Sequence, residues 1–227
     1  MATDPTGSAP TPPPAPPHTT PPMTGAHASL VERAKNILMT PKTEWPVIAA
    51  EPATIGEIYR NYVIILAAIP PLAMAIGLFL MGSGYWHFPV GFIVGQAVLS
   101  YILALIGVYV LALIIEALAP TFDGSKDRLA AFKLAAYSMT ASWLAGIFWV
   151  IPVLGFLSIV GLYSLYLFWL GLPVMMKSPP EKSAGYAIAI IVAAIVIYAV
   201  IGIIASRIMW TMMPPVTTPT VTFNLPG

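Results

Sequence analysis

Long apolar stretches separated by short charged segments dominate this chain. The first stretch runs from about Ile58 to Met81 and follows Thr54-Ile55-Gly56-Glu57, a capping box that marks a helix start. Pro70-Pro71 interrupts it, which predicts a kink in the helix. Apolar stretches of this length, bounded by charged residues, predict transmembrane helices.

The longest apolar stretch is too long for one helix. Leu134 to Met176 are 43 positions without a formal charge, which as a helix would span roughly 65 Å, about twice a hydrocarbon core. Two spans joined by a tight hairpin at residues 151–155 are therefore predicted. With the segments 89–115 and 184–206, the pattern predicts an all-α fold, a bundle of five transmembrane helices.

A short amphipathic helix precedes the first span. Ser29 and Glu32 have the spacing of a capping box, and Thr40-Pro41 ends the helix. The apolar positions that share one face are Leu30, Val31, Ala34, Ile37 and Leu38. The favoured interpretation places this helix in the lipid interface on the cytoplasmic side, with Trp45 as an anchor. The alternative is that it packs on the protein's own loops.

The two ends of the chain differ from its body. Nine prolines fall between Pro5 and Pro22, and such a segment has too little apolar surface to fold. It also lacks the basic and apolar regions of a signal peptide. It is interpreted as a solubilising tail or as a tether for a Pro-binding module. The predicted domains are a disordered Pro-rich cytoplasmic tail (1–28), a juxtamembrane helical region (29–57), a five-span transmembrane domain (58–208) and a short external tail (209–227).

Composition excludes several classes of protein. Hydrophobic residues make up 58% of the chain and charged residues 8%, whereas soluble domains carry roughly 25% charged residues. A soluble enzyme is therefore excluded. The net charge of +1 gives no basis for nucleic-acid binding. Because the chain has no cysteine, disulfides and thiolate metal sites are also excluded.

The distribution of basic residues predicts the orientation. Nine fall on one side of the five predicted spans: Arg33, Lys35, Lys42, Arg60, Lys126, Arg128, Lys133, Lys177 and Lys182. Only Arg207 falls on the other. Basic residues accumulate on the cytoplasmic side, so we expect a multi-pass cell (inner) membrane protein with a cytoplasmic N-terminus and a periplasmic C-terminus. Trp86, Trp149 and Trp210 would then form an outer aromatic belt.

The sequence offers little for catalysis. Ser83 and His87 lie in one short loop with no acid nearby, so a glycine turn is a better interpretation than a serine-histidine pair. Two of the three histidines, His18 and His27, lie in the N-terminal tail, which leaves no His-built metal site. No catalytic residue, cofactor or metal ion is predicted, and the protein is expected not to be an enzyme.

Polar and small residues follow single faces of the predicted spans. Gln96 and Ser100 share one face of the second span, and Ser138 and Ser142 share one face of the third. Such residues line a solute path in a transporter or allow close helix packing, and we favour helix packing. Gly91 and Gly95 have the spacing of a helix-packing motif, either within the chain or in a homo-oligomer.

The segment between spans two and three is the densest charge cluster. Its charged residues are Glu116, Asp123, Lys126, Asp127, Arg128 and Lys133. They are candidates for contacts with a membrane or cytoplasmic protein partner or with lipid headgroups, and the alternative is a solvated loop.

Several motifs in the chain resemble a known family. Ala119-Pro120-Thr121-Phe122-Asp123-Gly124 and the segment 134–140 with Tyr137 are similar to the bacterial branch of the Yip family, the Ypt-interacting-protein relatives. Residues 36–45 and 161–166 fit the same family. The resemblance implies a five-span membrane protein. It marks Pro120, Phe122, Gly124 and Tyr137 as family-like positions.

The eukaryotic members of that family sit in Golgi and endoplasmic-reticulum membranes and associate with Rab-type GTPases. Their Asp-Leu-Tyr-Gly-Pro signature is absent before the first span, where this chain has Tyr59-Arg60-Asn61-Tyr62, so that partnership is not expected here. The expected function is that of a non-enzymatic membrane-organising or adaptor protein, which binds partners or lipid through its cytoplasmic face. A small-solute transporter or channel is the alternative.

Overall fold

The computed structural model describes residues 29–81 and 89–212, and in those ranges it contains helices and no strand. The α-helices are α1 (Leu30–Met39), α2 (Pro41–Ala50), α3 (Ile55–Ile58), α4 (Ile64–Ala67), α5 (Ile69–Met81), α6 (Val90–Leu118), α7 (Arg128–Ser138), α8 (Thr140–Ala145), α9 (Tyr163–Met176) and α10 (Pro180–Met212). A π turn (Tyr59–Val63) and three 3₁₀ segments (Ala119–Phe122, Gly146–Val150, Pro152–Leu162) connect them.

Four helical segments are long and apolar enough to cross a membrane. They are Ile55–Leu80, Val90–Phe122, Val153–Met176 and Pro180–Ile208. The predicted all-α polytopic membrane fold is therefore confirmed. The third predicted span differs, because α7, α8 and the 3₁₀ segment Gly146–Val150 follow one another with a break at Met139. Residues Ala130–Ser138 of α7 are all buried, so the other helices enclose this segment.

The predicted hairpin between spans three and four is confirmed. Ile151 is extended, with φ −117° and ψ 103°, and Pro152 begins the next helix. A proline suits that position because the first residues of a helix have no intrahelical use for their N–H groups. The following eleven residues form a 3₁₀ helix instead of the expected α-helix.

The first span is interrupted where the sequence predicts it. α4 ends at Ala67 and α5 begins at Ile69, immediately before Pro70. The proline ring packs against the third span at Gly146, where an added Cβ would lie 2.5 Å from Pro70 Cγ. A side chain at position 146 would therefore separate the two helices.

The interpretation of the first amphipathic helix as interfacial is wrong. α1 and α2 form a hairpin that packs on the bundle, and Ile37 and Trp45 are completely buried. Trp45 lies against Gly171 of α9, where an added Cβ would come within 2.5 Å of the indole ring. Trp45 fills a space between helices, because the backbone at Gly171 leaves room for the ring, and it does not anchor the protein in headgroups.

Both helix starts carry the predicted caps. Ser29 Oγ accepts a hydrogen bond from the Glu32 N–H at 3.3 Å. At Thr54 the capping box is complete, since Thr54 Oγ1 accepts from the Glu57 N–H at 3.2 Å and Glu57 Oε2 accepts from the Thr54 N–H at 2.8 Å.

Burial divides the bundle into two ends. The first, which we call the polar end, comprises α1–α3, α7 and residues 107–127, 167–176 and 177–190, and it holds most of the buried side chains. The second, which we call the apolar end, comprises α5 and residues 90–106, 146–162 and 191–208. Most of the large apolar side chains that remain exposed lie in this second group.

Candidate functional site

Three connecting segments meet at the polar end. The Ser125 N–H donates to the Met176 carbonyl at 2.6 Å, which joins the connection after α6 to the end of α9. Lys182 and Asp123 form an ion pair that adds the start of α10. Lys133 Nζ donates to the Glu51 carbonyl at 2.6 Å, which adds the end of α2. The segments that carry the nine basic residues therefore share one end of the bundle, and the side of the membrane that this end faces stays a prediction.

The connection between α6 and α7 is rigidly placed. Asp123 adopts a left-handed backbone with φ 54°, and the Gly124 N–H donates to the Ala119 carbonyl at 2.8 Å. An added Cβ at Gly124 would lie 3.2 Å from both the Ala119 and Met176 carbonyl oxygens. The Phe122 ring stacks on Tyr186 of α10 with centroids 5.1 Å apart. The family-like positions Phe122 and Gly124 thus close a junction of α6, α9 and α10, and Pro120 lies exposed in the first turn of the 3₁₀ segment.

Charged side chains of this connection are held by specific contacts. Arg128 Nε lies 2.8 Å from Glu116 Oε2, and this hydrogen bond raises the pKa of the Arg128 guanidinium. Asp127 caps α7 by accepting a hydrogen bond from the Ala130 N–H at 3.0 Å. Lys126 is exposed, and it forms no side-chain hydrogen bond or ion pair within the described ranges. Five of the six predicted contact residues therefore do lie together.

The sixth residue, Lys133, lies apart from the exposed connection. It is 4% exposed, and its ammonium donates to the carbonyls of Ile48 at 2.8 Å and Glu51 at 2.6 Å. Burial lowers the pKa of Lys133. Lys133 is therefore buried against the end of α2 and is not exposed with the other five.

A buried ionic group at the polar end has no counterpart in the sequence analysis. Arg33 is 4% exposed and pairs with Glu44 at 2.5 Å and also with Glu51. Its guanidinium carbon lies 5.8 Å from the centre of the Tyr137 ring. The sequence pattern marks Arg33 only as a topology signal and Lys133 as a topology signal and a contact candidate, although Glu44 falls inside one of the family-like segments.

A polar cavity of about 300 Å³ adjoins this ionic group. Its polar lining consists mainly of Arg33, Glu51, Glu57, Asn61, Lys133 and Tyr137. The π turn contributes Asn61, and turns of this type occur often at functional sites. Asn61 and Ser29, which also lines the cavity, are exposed and mark its opening.

The polar face of α6 lines a cavity between helices. Gln96 Nε2 donates to Ser100 Oγ at 3.3 Å, one turn along the same helix, and not to a neighbouring helix. Both residues line a cavity of about 480 Å³ that Gly202 and Ser206 of α10 also line. An added Cβ at Gly91 would meet nothing within 4 Å in the described structure. Within the described residues Gln96 therefore forms no interhelical hydrogen bond and Gly91 no close contact, and whether Gly91 and Gly95 support a homo-oligomer stays a prediction.

The polar face of the third span does serve helix packing. Ser142 Oγ donates to the Gly161 carbonyl at 2.9 Å and lies 2.9 Å from Ser164 Oγ. Ser138 Oγ donates to the Leu134 carbonyl of its own helix at 2.5 Å. Tyr137 packs edge-on against Tyr62, with ring centroids 4.8 Å apart.

Several predictions fall outside the described residues. They concern the N-terminal tail with His18 and His27, the loop with Ser83, Trp86 and His87, and the last fifteen residues. The Trp210 side chain is likewise not described. Between residues 29 and 81 and between 89 and 212, no three or more His, Asp or Glu side chains are grouped to hold a metal ion.

Comparison with known proteins identifies the relatives of this chain. A family model, the Yip1 domain, matches residues 35–203. The chain is similar to the inner membrane protein YohC of Escherichia coli K12, with 26% identity over 182 residues that cover 75% of this chain and 91% of the relative. YohC of Escherichia coli O6:H1 gives the same values. No solved structure matches the chain.

Proposed function

The chain belongs to the Yip1 domain family of membrane proteins, and from this premise we propose that it is a non-enzymatic, multi-pass protein of a bacterial inner membrane that binds a protein partner through its cytoplasmic face. The inner-membrane location is supported by the similarity to YohC, whose name places it there. The proposed cytoplasmic face is the polar end, because the nine basic residues lie on the segments that meet there.

The adaptor role is supported by the fixed backbone and exposed charges of the connection of residues 119–127. Its backbone is fixed by hydrogen bonds within the connection and to α9, while Asp123, Lys126, Asp127 and Arg128 stay exposed. A fixed loop loses little conformational entropy on binding, so its charged groups are already arranged for a partner. Loops positioned by a rigid scaffold are frequent binding sites.

A photo-crosslinker placed at Ser125, which is exposed next to Lys126, tests this surface. We expect a defined crosslinked partner in intact cells that is lost in a Lys126→Glu, Lys177→Glu variant, since both lysines are exposed on neighbouring connections. Lys35→Glu is the matched control, because Lys35 is exposed on α1, away from this connection. The same crosslink in all three proteins would contradict the proposal.

Orientation has its own test. A periplasm-active reporter fused after Gly227 should be active and one inserted after Lys126 should be silent, because the predicted basic side stays in the cytoplasm. The reverse result would place the charged connection outside the cell.

A small-solute transporter is the second candidate, and the cavity beside Gln96 favours it. A side-chain amide that lines a cavity within a span, without an interhelical hydrogen bond among the described residues, suits contact with water or a polar solute. Gln96→Leu should then abolish solute flux in reconstituted vesicles while the protein stays folded. An unchanged flux, or none in the parent protein, would remove this candidate.

A further inference from the structure

We propose that the polar cavity beside Arg33 and Lys133 binds the phosphodiester group of a membrane lipid. This site is separate from the exposed connection of residues 119–127, and the inference does not depend on the adaptor role.

The hydrogen-bonding groups of the cavity favour a ligand that accepts hydrogen bonds. Arg33 is already paired with two carboxylates, and Glu57 accepts from the N–H and hydroxyl of Thr54. The other donors that line the cavity form fewer hydrogen bonds than they can. Lys133 has three N–H groups and makes two hydrogen bonds, while the Tyr137 hydroxyl and the Asn61 amide make none within the described structure. A ligand rich in acceptor oxygens therefore fits the cavity.

The charged groups around the cavity favour an anion near Lys133. Arg33 is paired with Glu44 and Glu51, and Glu57, which also lines the cavity, is bonded to the Thr54 cap, whereas Lys133 forms no ion pair among the described residues. The Lys133 ammonium donates to two carbonyls, and burial lowers its pKa although the charges of Glu51 and Asp127 act to raise it. A buried ammonium is stabilised by an anion close by. A phosphodiester carries one negative charge and several acceptor oxygens, which matches a single ammonium with hydroxyl and amide donors.

The cavity lies next to exposed apolar residues of the first span, and this position indicates a lipid. Glu57, Ile58 and Asn61 line the cavity. Within the next turn of the same span, Ile64 and Ile65 are 39% and 52% exposed. Exposed isoleucines on a membrane span contact acyl chains, so the cavity lies at headgroup depth with its exposed residue, Asn61, next to them. A lipid bound there would place its phosphodiester in the cavity and its chains along the isoleucines.

The experiment uses the full-length protein in an uncharged maltoside detergent. Its thermal unfolding midpoint and binding isotherm are measured with short-chain phosphatidylglycerol, with diacylglycerol of the same chains, and with inorganic phosphate. We expect phosphatidylglycerol to raise the midpoint in a saturable way, because a ligand that binds only the folded state stabilises it. Diacylglycerol should not raise it.

Variants test the assignment to these residues. Tyr137→Phe removes only the hydroxyl and keeps the ring against Tyr62, and it should weaken phosphatidylglycerol binding about tenfold. Lys133→Met should weaken it at least as much. Lys35→Met and Tyr163→Phe are the matched controls, since Lys35 is exposed on α1 and the Tyr163 hydroxyl donates to the Leu38 carbonyl, and neither residue lines the cavity.

The outcomes separate the possible ligands. If inorganic phosphate binds with the same losses in Tyr137→Phe and Lys133→Met, the site takes a free anion, and the lipid assignment is overturned. Equal stabilisation by diacylglycerol would also overturn it. Since Lys133→Met leaves two carbonyls without their donor and can impair folding, Tyr137→Phe decides alone in that case: unchanged affinity in this variant contradicts the proposal.

Discussion

The two ends of the bundle bury their side chains to different degrees. At the polar end, every residue from Ala130 to Ser138 is buried. Along α10, which forms much of the apolar end, only 11% of the residues in its most apolar stretch are buried. In water, apolar side chains must be covered by protein, whereas in lipid they need not be. The change from covered to uncovered apolar residues therefore marks where lipid contact begins.

The length of the exposed apolar segment on α10 supports this assignment of lipid contact. Exposed large apolar residues on α10 begin at Ile188 and end at Ile208. At 1.5 Å per residue this segment is roughly 30 Å long, the thickness of a hydrocarbon core. The α1–α2 hairpin covers the helices at the other end, so the buried ions are separated from most of this band.

Breaking the buried ion group should have the largest effect. Arg33→Met leaves Glu44 and Glu51 without their cation, and removing one partner of a buried pair costs about 3–5 kcal/mol. Denaturant unfolding in detergent micelles measures the loss. The matched control, Lys42→Met, removes an exposed lysine of the same hairpin and should be neutral. A loss below about 1 kcal/mol, the range of exposed pairs, would mean that water reaches the group.

Two glycine substitutions compare the ends directly. Gly171→Ala would place a Cβ within 2.5 Å of the Trp45 ring, and overpacking of this kind costs about 1–3 kcal/mol. At Gly202, in the apolar end, an added Cβ meets nothing within 4 Å. Gly202→Ala should leave the unfolding midpoint unchanged or raise it slightly, since alanine favours helix. Equal losses in both variants would remove the distinction between the ends.

A hydroxyl deletion gives a smaller effect. The buried Tyr186 hydroxyl donates to the Ile115 carbonyl and joins α10 to α6. Tyr186→Phe should cost about 0.5–1.5 kcal/mol, the net value of one hydrogen bond. Tyr198→Phe, on the same helix, removes a hydroxyl with no hydrogen bond in the described structure and should match the parent protein in the same thermal scan.

The smallest effect is expected at the apolar end. Phe79 is 65% exposed on α5, so Phe79→Ala mainly exchanges contacts with detergent or lipid. Its unfolding free energy should change by less than about 0.5 kcal/mol, as for surface positions. A loss of several kcal/mol would show that Phe79 is covered by another chain, which oligomer analysis by light scattering would then detect.

Local sequence signals account for the elements that were predicted correctly. Long apolar runs, the Thr54–Glu57 capping box and the proline at the 151–155 hairpin each act within a few residues. The Arg33 pairs and the Lys133 contacts join residues that are 11 to 85 positions apart, and nothing in a single sequence specifies such pairings. The burial of α1 was ambiguous for a related reason: an amphipathic face fits a lipid surface and a protein surface equally well.

The 3₁₀ build of Pro152–Leu162 affects how the bundle fits its bilayer. Eleven residues rise about 22 Å at 2.0 Å each, compared with about 16 Å for the same residues in an α-helix. The difference of about 6 Å resembles the variation in hydrocarbon thickness among biological membranes. Conversion between the two helix types in this segment would let the fourth span match thinner or thicker bilayers without displacing the ionic group at the polar end.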